Sequence, residues 1–356
     1  MRTKTATVKS ERDLAGTRLL DITVLAGGPS TERDVSLAGG KAVCEALRRI
    51  GHSVFLSDIE PGDLSALDQH ADFVFIVLHG EFGEDGTVQA ELDRRGLPYS
   101  GCGAASSRLA MDKVEAKRRF EKAGIKTPPY VVVDRDKARS LGSRFKTPAV
   151  VKPIAAGSSV DTNIVYKPYS LEKAAMHVSS RYGSALVETY VDGPELTVGI
   201  LDKVALPVCE IRTQREFYDY QAKYVDEDTE YLLDIDLPAA LLERVQALSV
   251  MAHQALGCEV FSRVDWRVDA KTMEPYILEI NTIPGFTSHS LLPKAADRAG
   301  LDFDTLCQRI IELSMRCHRR PCCGPDRTQN VGREPRQDPA DGTVSRPRRK
   351  APKLTS

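Results

Sequence analysis

The apolar positions divide the chain into elements before anything else is read. Asp21–Ala26 is rich in Ile, Val and Leu and predicts a strand, which Gly27-Gly28-Pro29-Ser30 breaks. Val35–Ile50 carries apolar residues at helical spacing. Ser53–Ser57 predicts a second strand, and Phe73–Leu78 is the continuous apolar run of a strand buried on both faces. Gly86–Arg95 returns to a helical pattern. Strand, helix, strand, strand, helix predicts an α/β domain over residues 19–111 with a mainly parallel sheet. Ligands bind such sheets where strand C-termini meet loops, and the polar loops Gly27–Ser36 and His79–Gly86 both fall there.

A second segment spans residues 112–203. It opens on a charged helix, Asp112–Ala123, and continues with strands at Pro128–Val133, Pro148–Lys152, Ala185–Tyr190 and Glu195–Leu201. A third segment, residues 204–316, holds a long polar stretch (Thr213–Thr229), a helix at Ala239–Leu256 and a closing helix at Phe303–Met315. Residues 1–18 are a polar lead-in. Residues 317–356 are rich in Arg, Pro, Gly, Asp and Gln, with too little apolar surface to offset their ordering entropy, and predict a disordered tail.

Composition narrows the classes of function. The net charge of −1 supplies no global field for nucleic acid or membrane. No run of 18 apolar residues predicts a transmembrane helix, and no apolar segment near the start predicts a secretory signal, so the expected location is the cytoplasm. The eight cysteines are mostly single residues in apolar stretches, as small core residues are. Cys317, His318, Cys322 and Cys323 cluster, but their spacing fits no standard zinc pattern.

The candidate chemistry concentrates in a few places. Alternate residues of a strand share a face, so Glu279 and Asn281 would project two hard oxygen ligands together, and Arg263 and Asp265 a cation and a carboxylate. Such oxygens on neighbouring strands suit a magnesium–nucleotide site; the alternative is a surface strand with solvated polar residues. Lys152 sits in an apolar strand, where it needs an anionic partner unless it snorkels from an edge. Gly157-Ser158-Ser159 follows, a turn able to present N–H groups and hydroxyls to phosphate, or a plain loop. Glu188, Val191 and Glu195 lie around a Gly-Pro turn, where a strand edge could meet adenine and a carboxylate the ribose. Lys223 and Tyr224 end a polar, aromatic stretch that reads as a lid or an exposed loop.

These residues, in this order, carry a resemblance. The chain resembles the D-alanine–D-alanine ligase family of the ATP-grasp superfamily over roughly residues 20–315. The resemblance rests on Gly27–Ser36, Leu78–Gly86, Met111-Asp112-Lys113, Val151-Lys152-Pro153, Gly157–Val160 and Gly193-Pro194-Glu195. It continues through Tyr218-Asp219-Tyr220, Ala222-Lys223-Tyr224, Arg263-Val264-Asp265 and Glu279–Leu291. It implies a Rossmann-like N-terminal domain followed by a two-lobed ATP-grasp module that is α+β in character. It also implies a homodimer that makes D-alanyl-D-alanine from ATP and D-alanine through an acyl phosphate, with two Mg²⁺ or Mn²⁺ ions.

The implied roles fall on specific residues. Glu32 would hold the ammonium of the first D-alanine within a network that includes Ser158 and Tyr224, with His79 nearby. Lys113, Lys152, Ser159 and Lys223 would meet the ATP phosphates; Glu188 and Val191 would address adenine and Glu195 the ribose. Asp265, Glu279 and Asn281 would carry the metal ions. Arg263 and the Gly285 N–H would stabilise an oxyanion, and Ser290 and Leu291 would take the second carboxylate. The sequence departs from the family pattern at Ile154-Ala155-Ala156, at Gln221 and at Asp161. An acid at Asp161 would oppose the triphosphate if it faced the nucleotide.

Overall fold

The computed structural model describes residues 18–213, 228–287 and 290–319. The first sheet is parallel, with β1 (Asp21–Ala26) between β2 (Ser53–Asp58) and β3 (Phe73–Ile76). Strand β3 ends two residues earlier than its apolar run suggests, although Val77 and Leu78 stay buried. Helix α1 (Arg33–Ile50) starts two residues before the expected position and closes on Gly51 in the left-handed conformation. Helix α2 (Thr87–Arg95) follows the second loop.

Two antiparallel sheets follow. The order β4 (Tyr130–Val133), β7 (Ala185–Thr189), β5 (Ala149–Lys152), β6 (Asn163–Val165) forms one. The other runs β10 (Glu230–Leu232), β9 (Val204–Arg212), β8 (Glu195–Leu201), β11 (Phe261–Val268), β12 (Pro275–Asn281). Helix α3 (Ala104–Met111) leads into α4 (Lys113–Lys122), where Asp112 caps the start by accepting from the Val114 and Glu115 amides, both at 3.0 Å. A single turn, α5 (Arg135–Ala138), and α6 (Pro168–Tyr182) cover the four-stranded sheet, where Leu171, Ala175 and Val178 pack on Ala149, Val151, Ala185 and Val187. Helices α3 and α6 lie outside the expected elements, although α6 shows proline in its first turn and apolar residues three and four apart.

Helix α7 (Ala239–Ala255) buries Val245 and Ala252 against Val264 and Trp266 of the five-stranded sheet. Its polar residues inside that core are paired: Trp266 Nε1 donates to Ser249 Oγ at 2.9 Å, and His253 Nδ1 lies 2.7 Å from Ser262 Oγ. A short helix, α8 (Leu291–Arg298), precedes the closing helix α9 (Phe303–His318). Helix α9 packs against α1, and Ile310 and Ile311 share a core with Val43, Leu47, Phe75 and Phe286. The first and last parts of the folded chain are thus one hydrophobic body. Phe286 joins them, with its ring edge-on to Phe75 at 5.5 Å and to Phe261 at 5.7 Å.

The expected tail boundary at 317 is corrected. Helix α9 continues through His318, whose ring packs edge-on against Tyr99 at 4.7 Å while its Nε2 lies 3.1 Å from the Tyr99 backbone. Composition alone hides this anchor, because the partner is 219 positions away. Cys317 is half-buried, while Cys322 and Cys323 lie outside the described residues. Among the described residues no helix is long and apolar enough to cross a membrane. His318→Ala is expected to lower stability by about 1 kcal/mol through loss of a ring contact and a backbone partner, which chemical denaturation would read.

Candidate active site

Strands β11 and β12 pair so that Arg263 opposes Asn281 and Asp265 opposes Glu279. All four functional side chains therefore leave one face of the ladder. The register then shifts, because Trp266 pairs with Ile277 and Leu278 is the extra residue of a bulge. The burial of β12 changes phase at the same point: Ile277 and Ile280 are buried, while Leu278 and Glu279 are both half-buried. The bulge thus turns Glu279 away from the core face that Ile277 occupies.

Arg263 holds Asp265 in a fork, with Nε to Oδ1 at 2.9 Å and Nη2 to Oδ2 at 2.8 Å. Thr197 Oγ1 donates to Asp265 Oδ1 at 2.6 Å. Lys113 Nζ lies 3.5 Å from Glu279 Oε2 and donates to the Ala156 carbonyl at 2.7 Å. Asn281 Oδ1 accepts from the Ile283 amide at 2.9 Å, which fixes the side chain. Two carboxylates and an amide oxygen on paired strands are hard donors of the kind that fit Mg²⁺ or Mn²⁺.

Two cavities adjoin this ladder. The first is lined by Glu32, His79, Glu84, Ser158 and Arg263, together with Gly285, Ser290 and Leu291. The second is lined by Lys152, Ser159, Glu188, Val191 and Glu195, together with Asp265. Lys113, Ala156 and Glu279 line both. The residues expected around amino-acid substrate and those expected around nucleotide therefore separate into neighbouring spaces that meet at one lysine and one carboxylate. Lys223 and Tyr224 fall outside the described residues.

The first cavity holds polar atoms in wait. His79 is 4% exposed, and its Nε2 has no hydrogen-bond partner among the described residues. Burial lowers its pKa against the opposing pull of Glu32, so the ring is neutral at neutral pH. Ser158 Oγ is likewise buried and has no hydrogen-bond partner among the described residues, and Ser158 and Ser159 both adopt positive φ, at 53° and 56°. A Cβ at Gly157 would lie 3.9 Å from both Glu32 Oε2 and Glu84 Oε2, so this loop closes directly over two carboxylates. Gly285 leaves room for the Ser290 hydroxyl, since a Cβ there would come within 2.5 Å of Ser290 Oγ and force it to move. That hydroxyl instead accepts from the Thr287 amide at 3.0 Å at the start of α8.

Lys152 finds its anion within the fold. It sits on β5, an interior strand, and its Nζ lies 2.6 Å from Glu188 Oε1. Edge snorkelling is excluded by that position. Lys117, a residue the sequence reading did not assign, approaches from α4: its Nζ is 2.8 Å from Glu188 Oε2 and it is fully buried. Glu188 therefore meets one lysine at each carboxylate oxygen. Burial raises the carboxyl of Glu188, but the two lysines outweigh it and hold the carboxyl below its ordinary range. Desolvation pulls Lys117 down; Lys152, although buried, is held up by Glu188 and the acids beyond it. The signal for Lys117 was a lysine on the inner side of a charged helix, four residues after Lys113.

Asp161 does not line either cavity. Its Oδ2 accepts from Tyr182 OH at 2.7 Å and Arg181 Nη1 at 3.0 Å, both on α6. The electrostatic conflict expected from the sequence is thereby avoided.

Comparison with known proteins agrees with the geometry. Residues 120–312 match the family model described as D-ala D-ala ligase C-terminus, and residues 56–102 match D-ala D-ala ligase N-terminus. A D-alanine–D-alanine ligase of Nitrosomonas europaea is 43% identical over 296 residues, covering 82% of this chain and 96% of the relative. The chain belongs to the D-alanine–D-alanine ligase family. Among solved structures, the Bacillus anthracis D-alanine–D-alanine ligase complexed with ATP aligns with TM-score 0.73 and 38% identity, covering 85% of this chain and 99% of that one. The VanG D-Ala:D-Ser ligase of Enterococcus faecalis aligns with TM-score 0.74 and 29% identity, covering 83% and 100%.

Within this ligase fold, Glu84 is a second residue the sequence reading quoted without a role. Burial and the neighbouring Glu32 charge push its pKa up to about 8, against the Gly80 amide that donates to Oε2 at 2.7 Å. A raised folded-state pKa means the native state binds the proton more tightly, so this carboxyl subtracts stability as pH climbs from its ordinary range to about 8. Glu84→Gln keeps an acceptor for Gly80 and removes the titration. Its stability relative to the parent should be similar near pH 4.5 and rise progressively toward pH 8 in thermal melts. A flat difference across that range would contradict the assignment.

Proposed function

We propose that the chain is an ATP-dependent ligase that joins two D-alanines into D-alanyl-D-alanine for peptidoglycan. Family membership supports the reaction type, and the meeting of two cavities at Lys113 and Glu279 is the observation that carries the reading. A carboxylate is a poor electrophile, so direct amide formation is slow. Transfer of the γ-phosphoryl group of ATP to the carboxylate of the first D-alanine makes an acyl phosphate and releases ADP. The deprotonated amine of the second D-alanine adds to that carbonyl, and the tetrahedral adduct expels phosphate.

The described residues divide this work. Glu32 takes the ammonium of the first D-alanine, beside the neutral His79. Ser158 and Ser159 cover the reacting groups and the phosphates, while Lys113 and Lys152 face the phosphates. Phosphoryl transfer depends on positioning and charge stabilisation, which several fixed cations provide. Glu188 and the strand edge at Val191 address adenine, and Glu195 addresses the ribose. Arg263 and the Gly285 N–H stabilise the oxyanion of the adduct. Ser290 and the Leu291 N–H, at the N-terminus of α8, receive the carboxylate of the second D-alanine. Asp265, Glu279 and Asn281 hold two Mg²⁺ or Mn²⁺ ions, which neutralise phosphate charge when bound. We read residues 19–111 as the substrate domain and residues 112–203 and 204–316 as the two ATP-grasp lobes of a cytoplasmic homodimer. Likeness to a D-Ala:D-Ser ligase keeps D-serine as a second candidate for the attacking amino acid.

Phosphate release by the purified protein with ATP and Mg²⁺ should require D-alanine and should not occur with L-alanine. ATP binding without release in the presence of any D-amino acid would refute the ligase reading. D-serine in competition with D-alanine, with dipeptides separated by mass, assigns the second substrate. Glu279→Gln removes a metal charge at the cavity junction and should lower turnover by at least ~100-fold in the same assay. Near-parental rates would show that the ions lie elsewhere.

A further inference from the structure

Arg267 stands directly opposite Glu195 in the β11–β8 ladder. Its Nη2 lies 3.1 Å from Glu195 Oε2, with both side chains about 15% exposed or less. Its Nη1 donates to the Gly193 carbonyl at 2.9 Å, and its guanidinium lies 5.5 Å from the centre of the Tyr190 ring. One planar cation therefore ties together three points of the β7–β8 connection. The turn between them is tight: Gly193 has φ +148°, and a Cβ there would come within 2.0 Å of the Val268 carbonyl oxygen. Tyr190, Glu195 and Arg267 all line the second cavity.

We propose that Arg267 is a positioning residue for nucleotide recognition, fixing the Glu195 carboxylate and the Tyr190 ring as the wall that receives the ribose. The inference rests on the assignment of Glu195 to the ribose. A glutamate on a strand start has free rotamers, and ordering it on binding costs free energy. The guanidinium orders it beforehand, and a lysine could supply the charge without the planar fork. The guanidinium also offsets a negative charge close to the path of a polyanion.

The test compares ATP, 2′-deoxy-ATP and 3′-deoxy-ATP in the D-alanine-dependent phosphate-release assay. The proteins are the parent, Glu195→Gln, Arg267→Met and Arg267→Lys, with thermal melts of each. The parent should prefer ATP over at least one deoxy analogue by about tenfold or more in kcat/KM, the worth of a charge-assisted hydrogen bond. Arg267→Met should raise KM for ATP and shrink that preference to within about threefold, as Glu195→Gln should. Arg267→Lys should recover part of it. A full parental preference in either Arg267 variant, even with a lowered melting temperature, would make Arg267 a structural clamp only and overturn the proposal. Absence of any preference in the parent would overturn the ribose assignment itself. If Arg267→Met does not fold, the lysine variant still decides between these outcomes.

Discussion

The bulge at Leu278 is the constraint on which the site depends. Strands alternate their faces, and an unbroken β12 would place Glu279 on the side of Ile277, inside the core. One extra residue shifts the phase, so that Glu279 opposes Asp265 and faces the cavities while Trp266 and Ile277 stay packed under α7. Arg263, Asp265, Glu279 and Asn281 then share one face. Arg263 and Thr197 hold Asp265, Lys113 approaches Glu279, and the Ile283 amide holds Asn281. The local irregularity is small, and its chemical consequence is the whole donor set.

The second cavity shows the cost of building such a site. Lys117, Lys152 and Glu188 bring three ionisable groups into a buried setting, where desolvation of each ion costs several kcal/mol. Mutual pairing offsets that cost, and two lysines to one carboxylate leave the region receptive to an anion. Helix α4 supplies Lys117 and Lys113 from one side, and strands β5 and β7 supply Lys152 and Glu188 from the other. The second cavity and the packing of α4 on the sheets are therefore one arrangement.

Much of this was legible along the chain because its signals are local. The parallel β1–β3 sheet follows from apolar runs alternating with a helical period, and the functional loops fall at strand ends as such sheets require. The pairing of Glu279 with Asn281, and of Arg263 with Asp265, follows from the two-residue strand repeat. Other features depend on distant partners. Lys117 looks like an ordinary surface lysine until Glu188 is brought to it from 71 positions along the chain. His318 looks like the start of a tail until Tyr99 meets it. Asp161 looks like an obstacle to ATP until Arg181 and Tyr182 turn it aside.

By itself, then, the sequence determined which residue types could do the chemistry and roughly which elements carry them. Periodicity, turn residues and motif order are properties of neighbours, and they survive without knowledge of the fold. Only the tertiary structure decided how those groups face one another. It set the phase of β12 at the bulge and chose Glu188 as the anion for two buried lysines. It also separated the residues expected around the amino acid from those expected around the nucleotide into two cavities that share Lys113 and Glu279. Those outcomes depend on burial and on long-range pairing, and neither is encoded in any short stretch of chain.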